Sequence, residues 1–251
     1  KIMDKIKQFE KERHDSILKN ADDKKLKFFA NQWLNESMIK QYVYNFSWLG
    51  RPIIQSPQDI MALQEIIWDV KPDMIIETGI AHGGSLIFSA SMLTLLEACG
   101  EIENGQVLGI DIDIREHNKK AIEVHSMNKK IKMLQGSSLD KMILQKVNDL
   151  VKNAKKILVC LDSNHTHEHV LGELKAYAPF VSIGSYCVVF DTIVEDMPEG
   201  SFPNRLWGPG NNPKTAVVEF LKLNQNFEID KSIQNKLMIT NASDGYLKKV
   251  K

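Results

Sequence analysis

The residue types best suited to chemistry follow two apolar segments in the second half of the chain. Asp162 follows the run KILVCL, His165 comes three residues later, and Asp191 follows YCVVF. If both runs are neighbouring parallel strands, their carboxyl ends meet at the edge of the sheet where ligands bind. Carboxylates there suit Mg²⁺, and an imidazole beside them can take a proton from a hydroxyl. We therefore predict Asp162 and Asp191 as metal ligands and His165 as the general base, with His82 as the second candidate.

A glycine-rich turn earlier in the chain is a second candidate site. The run MII ends at Glu77 and is followed by GIAHGGS, which opens an apolar, helix-like segment. A strand, a glycine turn and a helix let a ligand approach the backbone closely and leave the N–H groups of the helix start free. The spacing E-x-G-x-x-x-G-x-S differs from the G-x-G-x-x-G of dinucleotide-binding folds. It resembles the first motif of S-adenosylmethionine (SAM) dependent methyltransferases, in which this turn holds the amino-acid end of SAM.

Two further segments complete the predicted cofactor site. The run QVLGIDID indicates a strand that ends in acids, and an acid at the tip of such a strand can accept hydrogen bonds from two ribose hydroxyls. Asp111 is preferred for that role and Asp113 is the alternative. The segment GSS follows the next strand, where related cofactor sites contact the adenine. The residues predicted to bind the cofactor are Glu77, Gly79, Ala81, Gly83, Ser85, Asp111 and Ser138.

The elements that must position these residues alternate between short apolar runs and segments with helical spacing. This alternation predicts an α/β fold with a doubly wound, mostly parallel, Rossmann-like sheet. Residues 227–230 and 237–240, the latter continuing to 245–247, are predicted as an antiparallel pair at its C-terminal edge. We expect a helical extension at residues 1–55, with a charged helix over 1–27, and one domain over residues 56–251.

The composition and charge balance of the chain exclude some classes of function. The 251 residues contain 32 Lys and Arg and 32 Asp and Glu, and this balance argues against a nucleic-acid surface as the main function. No apolar run reaches the ~18 residues of a membrane span, and no signal peptide precedes the first helix. The three cysteines have apolar neighbours, which predicts buried free thiols in a reducing, cytoplasmic compartment. The amphipathic extension favours a homo-oligomer over a monomer.

Several longer segments together carry a specific resemblance. ETGIAHGGS, GIDID, LDSNHTHEHVLGELKAYAPFVSIGSYCVVFDT and WGPGNNPKTAVVEFL resemble the cephalosporin hydroxylase family, which also contains rhamnosyl O-methyltransferases. The resemblance covers residues 48–250. It implies the fold of SAM-dependent methyltransferases, SAM at the glycine turn and Asp111, and Mg²⁺ at Asp162 and Asp191. Some members have an acid immediately before the second aspartate, where this chain has Phe190. The site would then lack one protein ligand, and His165 or water would complete it, or no metal would bind.

The resemblance implies an O-methyltransferase that acts on a sugar or similar hydroxyl of a surface glycan, glycolipid or natural product. One alternative is a non-haem iron hydroxylase with Asp162, His165 and His169 as ligands. Another is a catalytically silent SAM-binding subunit. A Pro- and Gly-rich segment over residues 195–210, called the lid loop below, is predicted to cover the acceptor. Asp196, Arg205 and Trp207 are its candidate contacts to a sugar.

Overall fold

The computed structural model describes residues 2–251 and has the predicted alternation of strands and helices. The helices are α1 (Ile2–Asp22), α2 (Lys24–Ile39), α3 (Pro57–Val70), α4 (Gly84–Ala98), α5 (Glu116–Glu123), α6 (Lys141–Val151), α7 (His167–Tyr177), α8 (Pro213–Leu223) and α9 (Lys231–Leu237). The strands are β1 (Phe46–Trp48), β2 (Arg51–Ile53), β3 (Met74–Thr78), β4 (Gln106–Asp111), β5 (Ile131–Gln135), β6 (Ile157–Leu161), β7 (Tyr186–Val189), β8 (Phe227–Ile229) and β9 (Tyr246–Lys249).

Strands β3 to β9 form one sheet in the order β5-β4-β3-β6-β7-β9-β8. Neighbouring strands from β5 to β7 are parallel, and β9 runs antiparallel to both β7 and β8. The sheet therefore confirms the predicted fold class, including the antiparallel C-terminal edge. Strands β4 and β5 lie on one side of β3, whereas β6 and β7 lie on its other side. Such a reversal of strand order opens a crevice at the carboxyl ends of β3 and β6.

The central strands are largely apolar, as expected for a sheet that is covered on both faces. Every residue of β3 and of β6 is buried. Helices α3 and α4 pack in one core cluster, while α6, α7 and α8 pack in a second cluster on the other side. Both layers hold the strand ends rigid, so the loops that follow these strands have fixed starting points.

The N-terminal extension packs on the main fold at several places. Helix α1 contacts α9, and β1 pairs with β2 in a separate antiparallel hairpin that contacts α4. Leu34 and Met38 of α2 pack with Met197 and Phe202 of the lid loop. Helix α2 therefore lies beside the lid loop. Lys1, the first residue of the predicted N-terminal helix, is outside the described residues.

Three local predictions are wrong. Residues 237–240 are not a strand, because Asp59 binds the backbone N–H of Asn241 at 2.8 Å and the hydroxyl of Thr240, which holds this segment as a loop. The sequence of residues 115–128 predicts one helix, but helix α5 ends at Glu123, five residues before the end of that range. All three cysteines are free, but Cys99 is exposed while Cys160 and Cys187 are buried. Over the described range, no helix has the length and apolar character needed to cross a membrane.

Candidate functional site

The glycine turn, residues 79–84, is held so tightly that glycine is required at several of its positions. Gly79 and Gly83 have φ of 90° and 81°, in the region that side chains other than glycine disfavour. A Cβ on Gly79 would overlap the carbonyl oxygen of Asp162, and one on Gly84 would overlap the carbonyl oxygen of Pro52. The turn is therefore pressed against the loop after β6 on one side and against the hairpin strand β2 on the other.

Two residues that the sequence did not single out fix the carbonyl groups of this turn. Arg51 donates to the His82 carbonyl oxygen from Nε at 3.1 Å and from Nη2 at 2.6 Å, and Nη2 also donates to Asn118 Oδ1 at 3.1 Å. Asn118 Nδ2 donates to the Ala81 carbonyl oxygen at 2.9 Å. Asn118 lies four residues from the buried Ile114 and Ile122. A polar residue at helical spacing between apolar ones is a signal that could have identified it.

Asp111 stands at the tip of β4 and contacts the same turn. Its Oδ2 accepts from the backbone N–H of Ile80 at 2.8 Å, and its Oδ1 accepts from that of Asp113 at 3.0 Å. The backbone N–H of Ala81 also approaches Oδ2, at 3.4 Å. A carboxylate has about four lone-pair positions, so Asp111 keeps the capacity to accept from a ribose hydroxyl. Asp113 is exposed and lies 3.9 Å from Arg115. The structure thus distinguishes the two acids by their contacts.

Asp162, His165 and Asp191 come together at the ends of β6 and β7. Their potential ligand atoms all lie within 4.8 Å of one another, and His165 Nε2 is 3.2 Å from Asp191 Oδ2. Gln55 Nε2 donates to Asp162 Oδ2 at 2.9 Å. Burial, and after it the negative charge of Asp191, raise the pKa of Asp162 well above its usual range. A cation between the two carboxylates would relieve this repulsion.

Glu77 and Phe190 lie beneath this cluster. Glu77 is 4% exposed, and its Oε1 accepts from the Ser85 hydroxyl. Burial raises its pKa to about 7, although the Ser85 hydrogen bond opposes that shift. Phe190 is 3% exposed and lines a small interior space with Glu77, Ser85 and Asp162. It packs into the core and offers the cluster no ligand atom.

An open crevice of about 1010 Å³ joins the glycine turn to the Asp162 cluster. The predicted residues that line it are Gly79, Ala81, His82, Gly83, Ser85, Asp111, Ser138, Asp162, His165 and Asp191. The structure places Glu77 below it instead. His165 lies within ion-pair distance of a carboxylate, whereas among the described residues the His82 ring has no such contact.

The lid loop forms the far wall of the crevice. Trp207 and Arg205 line it, and the Trp207 ring meets the His165 ring edge-on at 5.1 Å between centroids. Phe202 packs against Trp207 at 4.7 Å. Asp196 is not on this wall, because its carboxylate pairs with Lys214 at 2.7 Å. Two of the three predicted lid contacts therefore face the crevice.

His169 is not part of the Asp162 cluster. Its Nε2 lies 3.2 Å from the hydroxyls of both Ser138 and Ser163. Among the described residues, the candidate group contains Asp162, His165 and Asp191 and excludes His169. The two-histidine, one-carboxylate set expected of a non-haem iron hydroxylase is therefore not assembled here.

Comparisons with known proteins agree on one group of relatives. The model of a protein family described as Rhamnosyl O-methyltransferase/CmcI matches residues 40–250. The Rhamnosyl O-methyltransferase of Mycobacterium tuberculosis (strain ATCC 25618 / H37Rv) is 27% identical over 220 residues, which cover 84% of this chain and 83% of the relative. The Rhamnosyl O-methyltransferase of Mycobacterium leprae (strain TN) is 27% identical over 218 residues, covering 84% and 89%.

Solved structures agree with this chain in fold. An apo structure of CmcI superposes with a TM-score of 0.58 at 17% identity, covering 83% of this chain and 77% of CmcI. A CmcI structure with Mg and SAM superposes with a TM-score of 0.54 at 17% identity, covering 83% and 78%. At these identities the likeness establishes the fold of the chain.

Proposed function

The chain belongs to the Rhamnosyl O-methyltransferase/CmcI family, and from this premise we propose that it transfers a methyl group from SAM to a sugar hydroxyl. The observation that carries the proposal is one crevice that joins the glycine turn, Asp111 and the Asp162 cluster at the carboxyl edge of the sheet. The curated relatives, named rhamnosyl O-methyltransferases, support a glycosyl acceptor.

The cofactor half of the crevice fits SAM residue by residue. The glycine turn lines the crevice with little side chain, and Asp111 at the same place retains acceptor capacity, which supports a ribose contact. When bound, SAM supplies an electrophilic methyl group on its sulfonium. Ser85 and Ser138 line the same crevice, and Glu77 acts through Ser85 from beneath.

Asp162 and Asp191 are proposed as the residues that hold Mg²⁺. Two carboxylates whose charges repel each other fit a hard cation that keeps several of its own waters. Because water can fill the remaining ligand positions, an acid at position 190 is not needed. A bound Mg²⁺ would lower the pKa of a hydroxyl that it contacts. We propose His165 as the base that takes the hydroxyl proton, oriented by Asp191 at 3.2 Å.

The test measures binding and transfer separately. Calorimetric titration with S-adenosylhomocysteine (SAH) should show binding by the wild type and a loss of at least about tenfold in Asp111→Ala, because the charged acceptors are removed. Asp113→Ala is the matched control, since that acid is exposed. Transfer of labelled methyl from SAM to an alkyl rhamnoside should then follow. A wild-type protein that does not bind SAH contradicts the proposal.

The remaining alternative, a silent SAM-binding subunit, predicts binding without transfer. For an active enzyme, Asp162→Asn should retain SAH affinity and lose about 10²-fold or more in methyl transfer. Added EDTA should have a similar effect on the wild type. A homo-oligomer stays a prediction, which light scattering of the purified chain tests.

A further inference from the structure

A buried acid lies behind Ser163 and His169, two residues that line the crevice. Glu173, on α7, is fully buried, and its Oε2 has no hydrogen-bond partner among the described residues. Burying a carboxyl group with one oxygen unpaired costs free energy, so we look for a role that an apolar residue could not fill. Its other oxygen, Oε1, accepts from the Ser163 hydroxyl at 2.8 Å and lies 3.3 Å from His169 Nε2.

These contacts decide which nitrogen of His169 carries a proton. The Ser163 hydroxyl donates its hydrogen bond to Glu173, so Ser163 Oγ can act only as an acceptor towards His169 Nε2 at 3.2 Å. Glu173 Oε1 on the same side is also an acceptor. Two acceptors on this side favour the tautomer with the proton on Nε2, and the Ser138 hydroxyl, also 3.2 Å away, can accept from it. The neutral ring then presents the lone pair of Nδ1.

The Nδ1 atom is available to a ligand. Within the described part of the chain it has no hydrogen-bond partner, and it is not among the enclosed polar atoms. His169 lines the crevice together with Ser138, whose hydroxyl lies 3.2 Å from Nε2. The Ser138 carbonyl oxygen accepts from the buried Tyr177 hydroxyl at 2.8 Å, which fixes the loop after β5.

Resting on the proposed function, we propose that His169 Nδ1 accepts a hydrogen bond from the 6-amino group of the cofactor's adenine, and that Glu173 is the positioning residue behind it. With the ribose at Asp111, the base extends towards the loops after β5 and β6, where Ser138 and Ser163 stand. An acceptor at this place favours adenine over hypoxanthine, whose 6-oxo group is itself an acceptor.

The experiment compares the binding of SAH with that of S-inosylhomocysteine, which carries hypoxanthine, by calorimetry at pH 8. The wild type should bind SAH about tenfold more tightly, as expected for one hydrogen bond lost and two acceptors opposed. His169→Gln retains a polar atom near Nε2 but none near Nδ1, so it should bind the two ligands within about twofold. His169→Asn retains a polar atom near Nδ1 and should preserve most of the preference.

Two further variants separate this role from a purely structural one. Glu173→Leu leaves His169 in place but removes the acceptor that fixes its ring, so the preference should fall to about threefold. His167→Gln is the matched control, because its ring contacts Thr215 and Glu219 outside the crevice. Equal wild-type affinities for the two ligands, or an unchanged preference in His169→Gln, would overturn the inference alone. A wild type that binds neither ligand overturns the proposed function as well.

Discussion

The crevice has two walls that are built in opposite ways. On the turn wall, residues 79–84, added Cβ atoms would overlap backbone of other segments, and Arg51 and Asn118 hold two of its carbonyl groups. On the lid wall, residues 202–210, Gly208 and Gly210 have open space around them and Leu206 is 89% exposed. A rigid wall suits a ligand of fixed shape. An open wall can accommodate acceptors of different size.

Replacing one glycine of each wall by alanine should give the largest difference in stability between the two walls. Gly79 and Gly210 have similar φ, 90° and 83°, but only Gly79 is packed against backbone. Gly210→Ala should cost about 1 kcal/mol of the free energy of unfolding, from φ alone. Gly79→Ala should cost about 4 kcal/mol and abolish SAH binding, because the Asp162 loop must move. Urea unfolding and calorimetry measure both, and equal costs would contradict the proposed contrast.

The buried Glu77 under the turn wall predicts a pH-dependent stability. Its pKa is about 7 in the folded protein against an ordinary value of 4.5, so between these values the folded chain holds a proton that the unfolded chain releases. The free energy of unfolding should therefore fall as pH rises from 4.5 to 7, by about 3 kcal/mol in total. Glu77→Gln should lack this part of the slope.

The control for this slope is Glu103→Gln, at an exposed position near the end of α4. Its unfolding free energy should follow the wild type across the whole pH range. If Glu77→Gln and the wild type kept a constant difference from pH 4.5 to 7, the Glu77 carboxyl would not be held in a proton-retaining site.

The contrast between the walls also explains what the sequence could reveal. Glycine spacing, strand ends and acids are local patterns, so Gly79, Asp111, Asp162 and Asp191 could be identified as lining one crevice edge. Arg51 lies 31 positions from the carbonyl group that it binds, and no local pattern connects them. The same holds for Asp59, which is bound by Asn241 and so turns a predicted strand into a loop. Hydrogen bonds between residues that are distant in sequence could be identified only from the structure.

Substitution of Arg51 tests how the turn wall is held, and its expected effect on stability is of intermediate size. Arg51→Met keeps much of the apolar stem but removes the donors to the His82 carbonyl oxygen and to Asn118. Loss of charged hydrogen bonds should cost about 2 kcal/mol of stability and weaken SAH binding about tenfold. Arg115→Met is the control, since that side chain is 68% exposed. Equal SAH affinities in the two variants would mean that the turn keeps its shape without the hydrogen bonds from Arg51.

The smallest effect on stability is expected at Trp207, on the lid wall. Its ring contacts His165, Phe202 and Arg205, and it belongs to none of the three core clusters, so Trp207→Ala should change the free energy of unfolding by less than about 1 kcal/mol. SAH affinity should stay within about twofold. The KM for an alkyl rhamnoside should rise about tenfold, because an aromatic face that packs on a sugar is lost.

Trp68→Ala is the matched control for this change, because Trp68 is 44% exposed and lies on α3, away from the residues that line the crevice. It should leave both the KM and the SAH affinity unchanged. A Trp207→Ala protein with weakened SAH binding would show that the lid wall also holds the cofactor. The two walls would then act as one closing unit, and the acceptor could not vary independently of the donor.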